Sequence, residues 1–337
     1  MTTVAFFNNK GGVGKTSLVY HLAWMYAQLG VTVIAADLDP QANLTIMFVD
    51  EEEIDDLWSS TQPRKTVYGA LKPQLDGTGD VNIPETHEAD TDLYLVPGDL
   101  KLSVAEDEFS SQWPSCLDGK MRAFRVISAF GRMLHMARKA VGAQLVLVDV
   151  GPNLGAINRA ALIAADYVVV PLAPDLYSLQ GLRNLGPTLR DWRKDWSQRL
   201  EKANTTDELN ELKLPSGQMT PIGYVVQQHA VRLDRPVKAY ARWTDAIPAE
   251  YRTAILSQHD ARGTRLVEED THCLGLLKNY RSLMPYAQDA RKPMFLLKPA
   301  DGAVGGHMNA VKGCHQDYRN LACAIAERVD VRCPQRD

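Results

Sequence analysis

Ten residues near the N-terminus, Asn8-Asn9-Lys10-Gly11-Gly12-Val13-Gly14-Lys15-Thr16-Ser17, constrain this chain more than any other stretch. An apolar run, Val4 to Phe7, precedes them. A helical pattern with Leu18, Leu22, Met25, Tyr26 and Leu29 on one face follows. A strand, a glycine-rich turn and a helix start make a cradle for polyphosphate. Glycines let the backbone curl until successive N–H groups point inward, and the helix N-terminus adds partial positive charge. Residues Gly11, Gly12, Val13, Gly14 and Ser17 would line that cradle. Lys15 can reach the β- and γ-phosphates, and Thr16 offers a hydroxyl to Mg²⁺. A glycine-rich turn with no ligand would gain nothing from two lysines facing each other.

Two later segments supply carboxylates. Val31 to Ala36 reads as a parallel strand buried on both faces, ending in Asp37-Leu38-Asp39-Pro40-Gln41-Ala42-Asn43. Ligands of doubly wound sheets lie beyond the C-terminal strand ends, so Asp37 and Asp39 belong beside the phosphates. Alternate residues of an extended strand point the same way, so both can face a metal and an attacking water. Farther on, Gln144-Leu145-Val146-Leu147-Val148-Asp149 is an apolar strand ending in an acid that can hold Mg²⁺ through water. The turn after it, Gly151-Pro152, could sense the γ-phosphate through a backbone N–H. Met121 to Val141, with Phe124, Ile127, Phe130, Leu134 and Ala137 at helical spacing, predicts one core-facing helix.

The usual P-loop pattern has glycine where Asn9 stands, and here a second lysine, Lys10, precedes Gly-Gly. This deviant Walker A form, K-G-G-x-G-K-[ST], resembles the ParA/MinD family of ATPases. The segments D-x-D-P-Q-x-N (Asp37 to Asn43) and V-P-x-x-P-D-x-Y-S-L-x-G-L (Val170 to Leu182) are similar to that family too. The resemblance implies a doubly wound α/β fold, a mostly parallel sheet flanked by helices. It implies ATP and Mg²⁺ as ligands, with Thr16, Asp37 and Asp149 around the metal and Asp39 orienting the hydrolytic water. By the same resemblance Lys10 crosses to the nucleotide of a second copy, so ATP glues a homodimer. The segment around Pro174 would lie near the base and begin a helix at the dimer seam. Much of the family has Pro-Pro where this chain has Gly151-Pro152.

Composition narrows the partners. A net charge of −4 over 337 residues gives no global attraction to nucleic acid or anionic lipid, so such binding needs a local patch. Basic residues gather at Arg183, Arg190, Arg193, Lys194 and Arg199. They gather again at Arg232, Arg235, Lys238 and Arg242, with Tyr240 and Trp243 interleaved. ParA-type proteins bind non-specific DNA through basic residues near the dimer seam, which selects Arg232, Arg235 and Lys238 as DNA-binding candidates. Gln227, ending the strand Ile222 to Val226, is a candidate for the adenine edge. The partners expected are a second copy, non-specific DNA and a ParB-like or other ATPase-stimulating protein.

The N-terminus opens directly into the first strand, leaving no room for a signal peptide, and no apolar run approaches 18 residues. A cytoplasmic protein, with nucleoid association open to it, is expected. Five cysteines without a C-x-x-C pair suggest reduced thiols, and Cys314, His315, Cys323, Cys333, His272 and Cys273 match no zinc spacing. An iron–sulfur reductase subunit would need cysteines after Asp149, and there is none until Cys273. The whole chain, 1–337, reads as one domain with an elaborated connection at about 48–120 and a helical C-terminal part at about 248–337. The function expected is an ATP-dependent, dimerising switch that positions or partitions a DNA or protein cargo. The alternative is a MinD-like regulator working through a protein partner or a membrane. The mixed charge and the proline near the C-terminus (Glu327 to Pro334) do not resemble a basic membrane-targeting helix, and Ala310 to Val329 reads as core packing.

Overall fold

The computed structural model describes residues 2–59, 65–203, 209, 211–229, 231–232, 235–236, 242–258 and 266–333. In chain order, the strand β1 (Thr2–Phe6) leads into helix α1 (Lys15–Gln28) and strand β2 (Val33–Asp37). Short helices follow, α2 (Asn43–Phe48), α3 (Glu51–Ser59) and α4 (Val67–Asp76), then the strands β3 (His87–Asp90) and β4 (Leu93–Val96). Helices α5 (Glu106–Ser115), α6 (Met121–Ile127) and α7 (Ala129–Val141) precede β5 (Leu145–Asp149). Next come α8 (Ala156–Ile163), β6 (Tyr167–Leu172), the long α9 (Leu176–Ala203) and β7 (Thr220–His229). Past a small hairpin, β8 (Val231–Arg232) with β9 (Arg235–Pro236), the last strand β10 is Cys273–Lys278, and helix Gly306–Arg328 closes the described chain.

Eight strands form one sheet in the order β10-β7-β6-β1-β5-β2-β4-β3. All neighbours are parallel except β3, which pairs antiparallel with β4 at the edge. This is the doubly wound α/β fold expected of a P-loop NTPase. Side-chain alternation builds a core on each face. Val4 and Phe6 of β1 pack toward α1 and the C-terminal helix, whereas Ala5 and, just past the strand, Phe7 pack toward α4–α9. The five residues expected on the inner face of α1 are all buried.

The helix expected over Met121 to Val141 is broken at Ser128 (φ −86°, ψ 0°). Its buried hydroxyl donates to the Phe124 carbonyl oxygen at 2.6 Å and accepts from Arg132 Nε at 3.2 Å. A serine bonding back to the previous turn competes with the helical ladder and bends it. Strand β10 is absent from the sequence reading, since Cys273-Leu274-Gly275-Leu276-Leu277-Lys278 has an interior glycine and irregular register against β7. Its approach depends on Gly223 (φ +152°), where a Cβ would lie 2.6 Å from the His272 carbonyl oxygen.

The C-terminal helix uses its apolar face inside the molecule, with Val311, Tyr318, Leu321 and Ile325 buried. Tyr26 of α1 donates to the Ala322 carbonyl oxygen at 2.8 Å. A second tie runs through His21 of α1, whose Nδ1 lies 2.7 Å from the Ser17 carbonyl oxygen and whose Nε2 accepts from Met294 N at 3.2 Å. Burial pulls the His21 pKa down to about 4, so the ring is neutral and can accept that bond. Among the described residues no helix is long and apolar enough to cross a membrane.

Candidate functional site

The loop between β1 and α1 turns on Gly12 (φ +72°) and Gly14 (φ +74°), backbone that glycine adopts without strain. At Gly14 space is closed as well, because a Cβ there would meet Gln227 Oε1 at 2.3 Å. Gln227 Nε2 donates to the Gly14 carbonyl oxygen at 3.0 Å, so the end of β7 braces the loop. Lys15, first residue of α1, is buried and donates from Nζ to the Lys10 carbonyl oxygen at 3.3 Å. Burial pulls its pKa below the ordinary lysine value, while the charges of Asp149 and Asp39 pull it back up.

The three acids arrive on neighbouring strand ends, with Asp37 of β2 in register with Asp149 of β5. They have different surroundings. The Oδ2 atom of Asp37 accepts from Thr45 N and Thr45 Oγ1 at 2.8 and 2.7 Å, and its Oδ1 accepts from Asp39 N at 3.3 Å. Thr45 Oγ1 in turn accepts from Gly98 N at 2.7 Å. A Cβ at Gly98 would lie 2.8 Å from the Asp37 carboxyl carbon, so this glycine allows the chain after β4 to seal the acid. Burial pushes the Asp37 pKa up to about 7, against the pull of the Thr45 bonds. Asp149 is fully buried, and neither carboxylate oxygen has a hydrogen-bond partner. Burial, then the charge of Asp37, drives its carboxyl well above the usual range, opposed by the nearby Thr16 hydroxyl and Lys15.

An orphaned buried carboxylate beside a hydroxyl offers oxygen ligands only, the kind a hard cation prefers. Among the described residues no three His, Cys, Asp or Glu side chains converge to hold a metal by themselves. A Mg²⁺ ion here fits as one that shares its ligands between Asp149, Thr16 and phosphate oxygens, as Mg²⁺ sites commonly do. Asp37, already satisfied by Thr45, fits as a supporting residue.

Asp39 is 6% exposed and accepts from Gln41 N at 3.0 Å. It faces the turn after β5, where a Cβ at Gly151 would lie 3.2 Å from Asp39 Oδ1. That turn is pinned by a residue the sequence reading missed. Asn158 of α8, buried, donates from Nδ2 to the carbonyl oxygens of Gly151 and Asn153 at 2.9 and 2.8 Å and to Asn153 Oδ1 at 3.0 Å. Glu106 of α5 caps the same helix from outside, accepting from Ala156 N and Ile157 N at 2.5 and 3.0 Å. Neither contact has a signal in sequence spacing. Replacing Asn158 with alanine strands buried carbonyls and is expected to lower stability by about 1–3 kcal/mol. Urea unfolding checks this, and a loss below about 0.5 kcal/mol, the size of an ordinary surface substitution, would contradict the pinning.

Lys10 lies outside the cradle. Its Nζ pairs with Asp175 Oδ2, just before α9, and stands 5.8 Å from the Tyr177 ring centroid. A cleft of about 770 Å³ continues from the loop past Ser17 and His21, bounded by Ile46 and Met47 on one side and Met284 and Arg291 on the other. Pro174 and Gln227 do not line this cleft. Pro174 is buried at the turn before α9, and Gln227 is spent on the loop itself.

The α9 arginines are engaged inside the chain. Arg183 pairs with Glu250, Arg190 donates to the Ala254 carbonyl oxygen, Arg193 to those of Gln218 and Met219, and Arg199 to that of Trp113. Of the DNA-binding candidates, Arg232 and Arg235 are register partners in the β8–β9 hairpin, off the main sheet. Lys238 lies outside the described residues.

A family model described as an AAA domain matches residues 1–202. Chromosome partitioning protein ParA of Caulobacter vibrioides is 30% identical over 204 residues, covering 60% of this chain and 67% of that protein. The chromosome-partitioning ATPase Soj of Thermus thermophilus is 32% identical over 198 residues, 58% of this chain and 65% of its own. A putative replication protein A of Rhizobium rhizogenes is 30% identical over 183 residues, 54% of this chain but only 42% of that longer protein. Among solved structures, a Corynebacterium diphtheriae protein superposes with a TM-score of 0.72 at 23% identity, covering 97% of this chain and 98% of its own. The ATP complex of McdA from Cyanothece superposes at 0.58 and 16% identity, covering 98% and 97%. These two agree in fold, and the sequence relatives carry the family assignment. With its two-lysine loop and three strand-end acids, the chain belongs to the ParA/MinD type of P-loop ATPases.

Proposed function

We propose that this protein is an ATP-driven switch that joins two copies of itself when ATP is bound and separates them on hydrolysis. The observation that carries the reading is the division of labour between its lysines. Lys15 is buried against the acids of the cradle, while Lys10 stands at the rim, its side chain 25% exposed. One grips phosphates within the subunit, and the other, at the rim on its pair with Asp175, is placed to serve a second one.

The backbone N–H groups of Gly11 to Thr16 bind the phosphates, with Ser17 behind them. Lys15 neutralises the charge that builds toward the β–γ bridge. Bound Mg²⁺ would supply further charge neutralisation on the phosphate oxygens. Asp39 orients the attacking water, and the Gly151–Asn153 turn, held by Asn158, keeps that water's neighbourhood fixed. The base is assigned to the cleft between α1 and the Met284–Arg291 segment, which supersedes Pro174 and Gln227 as its contacts. ATP hydrolysis to ADP and phosphate then releases the cross-subunit grip of Lys10.

The ATP dimer is proposed to bind non-specific DNA, consistent with the partition roles named for its relatives, in the cytoplasm and with a ParB-like stimulating protein. With the α9 arginines used internally, the hairpin carrying Arg232 and Arg235 is the favoured contact, with Lys238 beyond it. A MinD-like membrane platform is less favoured because the C-terminal helix buries its apolar face in the core. Binding to a random-sequence duplex, measured with ATP, ADP or no nucleotide at two salt concentrations, tests this. Binding with ATP alone, falling steeply with salt, is expected. Equal binding in all three states would refute ATP control of the DNA contact, and no binding in any would refute the DNA platform and move it to a protein partner or a membrane.

A further inference from the structure

The contact between Lys10 and Asp175 is built from both sides. On the loop, Lys10 N donates to Asn8 Oδ1 at 3.0 Å, and buried Asn8 donates from Nδ2 to the Pro171 carbonyl oxygen at 2.7 Å. The backbone that launches the lysine is thereby fixed to the end of β6. On the helix side, Asp175 Oδ1 accepts from Ser178 N at 2.8 Å, and Ser178 Oγ accepts from Ala173 N at 3.0 Å. The loop and helix meet closely, since a Cβ at Gly181 would lie 3.0 Å from Asn8 Oδ1. One carboxylate oxygen thus caps α9, and the other is aimed at Nζ of Lys10. Burial opposes ionisation of Asp175, yet Lys10 and Ser178 hold its carboxyl below the ordinary range.

We propose that Asp175 is a positioning residue for Lys10, holding the lysine on its own subunit so that joining a second copy requires this ion pair to open. The proposal rests on the reading of Lys10 as the cross-subunit lysine. A lysine ammonium is a compact point charge, and it cannot give its full charge to Asp175 and to a partner's phosphates at once. Only the fraction of subunits with Lys10 released is competent to join, and both partners must be, so the apparent dimer dissociation constant is the intrinsic one divided by the square of that fraction. The pair is partly exposed, with side chains 25% and 35% accessible, so it is a modest restraint. Its strength suits a threshold rather than a lock. Leu176 and Tyr177, 51% and 73% exposed beside the pair, extend the same rim.

Asp175→Asn keeps the size of the side chain and an oxygen to cap α9, and removes the charge; Asp175→Ser is a second neutral residue able to cap. Dimerisation is followed by sedimentation velocity across protein concentration at saturating Mg-ATP, with thermal melts confirming a folded helix. Both variants are expected to dimerise about 3- to 10-fold more tightly than the parent, within what opening one modest, partly exposed pair in each of the two subunits allows. Asp175→Glu, which keeps the charge, should dimerise like the parent, a split between charged and neutral replacements that a purely structural role for Asp175 would not predict. Dimerisation that is unchanged or weaker in both folded variants overturns the proposal. Normal ATP-dependent dimerisation of Lys10→Ala alone would instead overturn the reading beneath it, so the two failures are distinct.

Discussion

Replacing Lys15 with alanine is expected to abolish nucleotide binding. The residue opens α1, lies buried, and points its ammonium at the mouth of a backbone cradle bordered by Asp39 and Asp149. Two charge-assisted bonds to phosphate, each worth about 1.5–3 kcal/mol, would be lost together. The damage goes beyond those bonds, because the acids would then meet the phosphates with no cation between them. Affinity should fall about 100-fold or more, since every 1.4 kcal/mol is tenfold. Titration with a fluorescent ATP analogue reads the loss. A dissociation constant within about threefold of the parent would show that the loop is not the phosphate site.

The second large effect is kinetic. Asp39→Ala should retain ATP while hydrolysis slows by about 10²–10⁴-fold, the usual contribution of a residue that positions or deprotonates the attacking group. The loop does not depend on this side chain. Its one backbone bond is to Gln41 N, on its own turn, and its carboxylate faces Gly151. The variant should therefore bind normally and accumulate as the ATP dimer. Phosphate release under multiple-turnover conditions, with ATP retention on gel filtration, checks both halves. Rapid turnover in this variant would remove Asp39 from its role.

Much of the frame was legible because it is written locally. A buried strand followed by glycines and a helix start has few alternative folds, and apolar runs ending in Asp37 and Asp149 announce parallel strands whose ends meet a ligand. What was not legible depends on contacts between distant segments. The polar edge strand His87–Asp90 has no alternation of apolar residues, and β10 is recognisable only once Gly223 admits it. Thr45 holds Asp37, Asn158 holds the turn at Gly151, and Glu106 caps α8 from 50 residues away. None of these carries a spacing rule. The basic pattern of α9 likewise does not reveal its partners, since Arg190, Arg193 and Arg199 donate to backbone carbonyl oxygens and the exposed Arg183 pairs with Glu250. Charge in a sequence states capacity, and packing decides whether it remains available.

The central claim is that ATP state sets oligomeric state. The most direct measurement is the mass of the full chain in solution with Mg-ATP, with Mg-ADP and without nucleotide, using Asp39→Ala to slow turnover. A dimer with ATP and a monomer in the other two conditions is the predicted result. The same mass in all three conditions would contradict it.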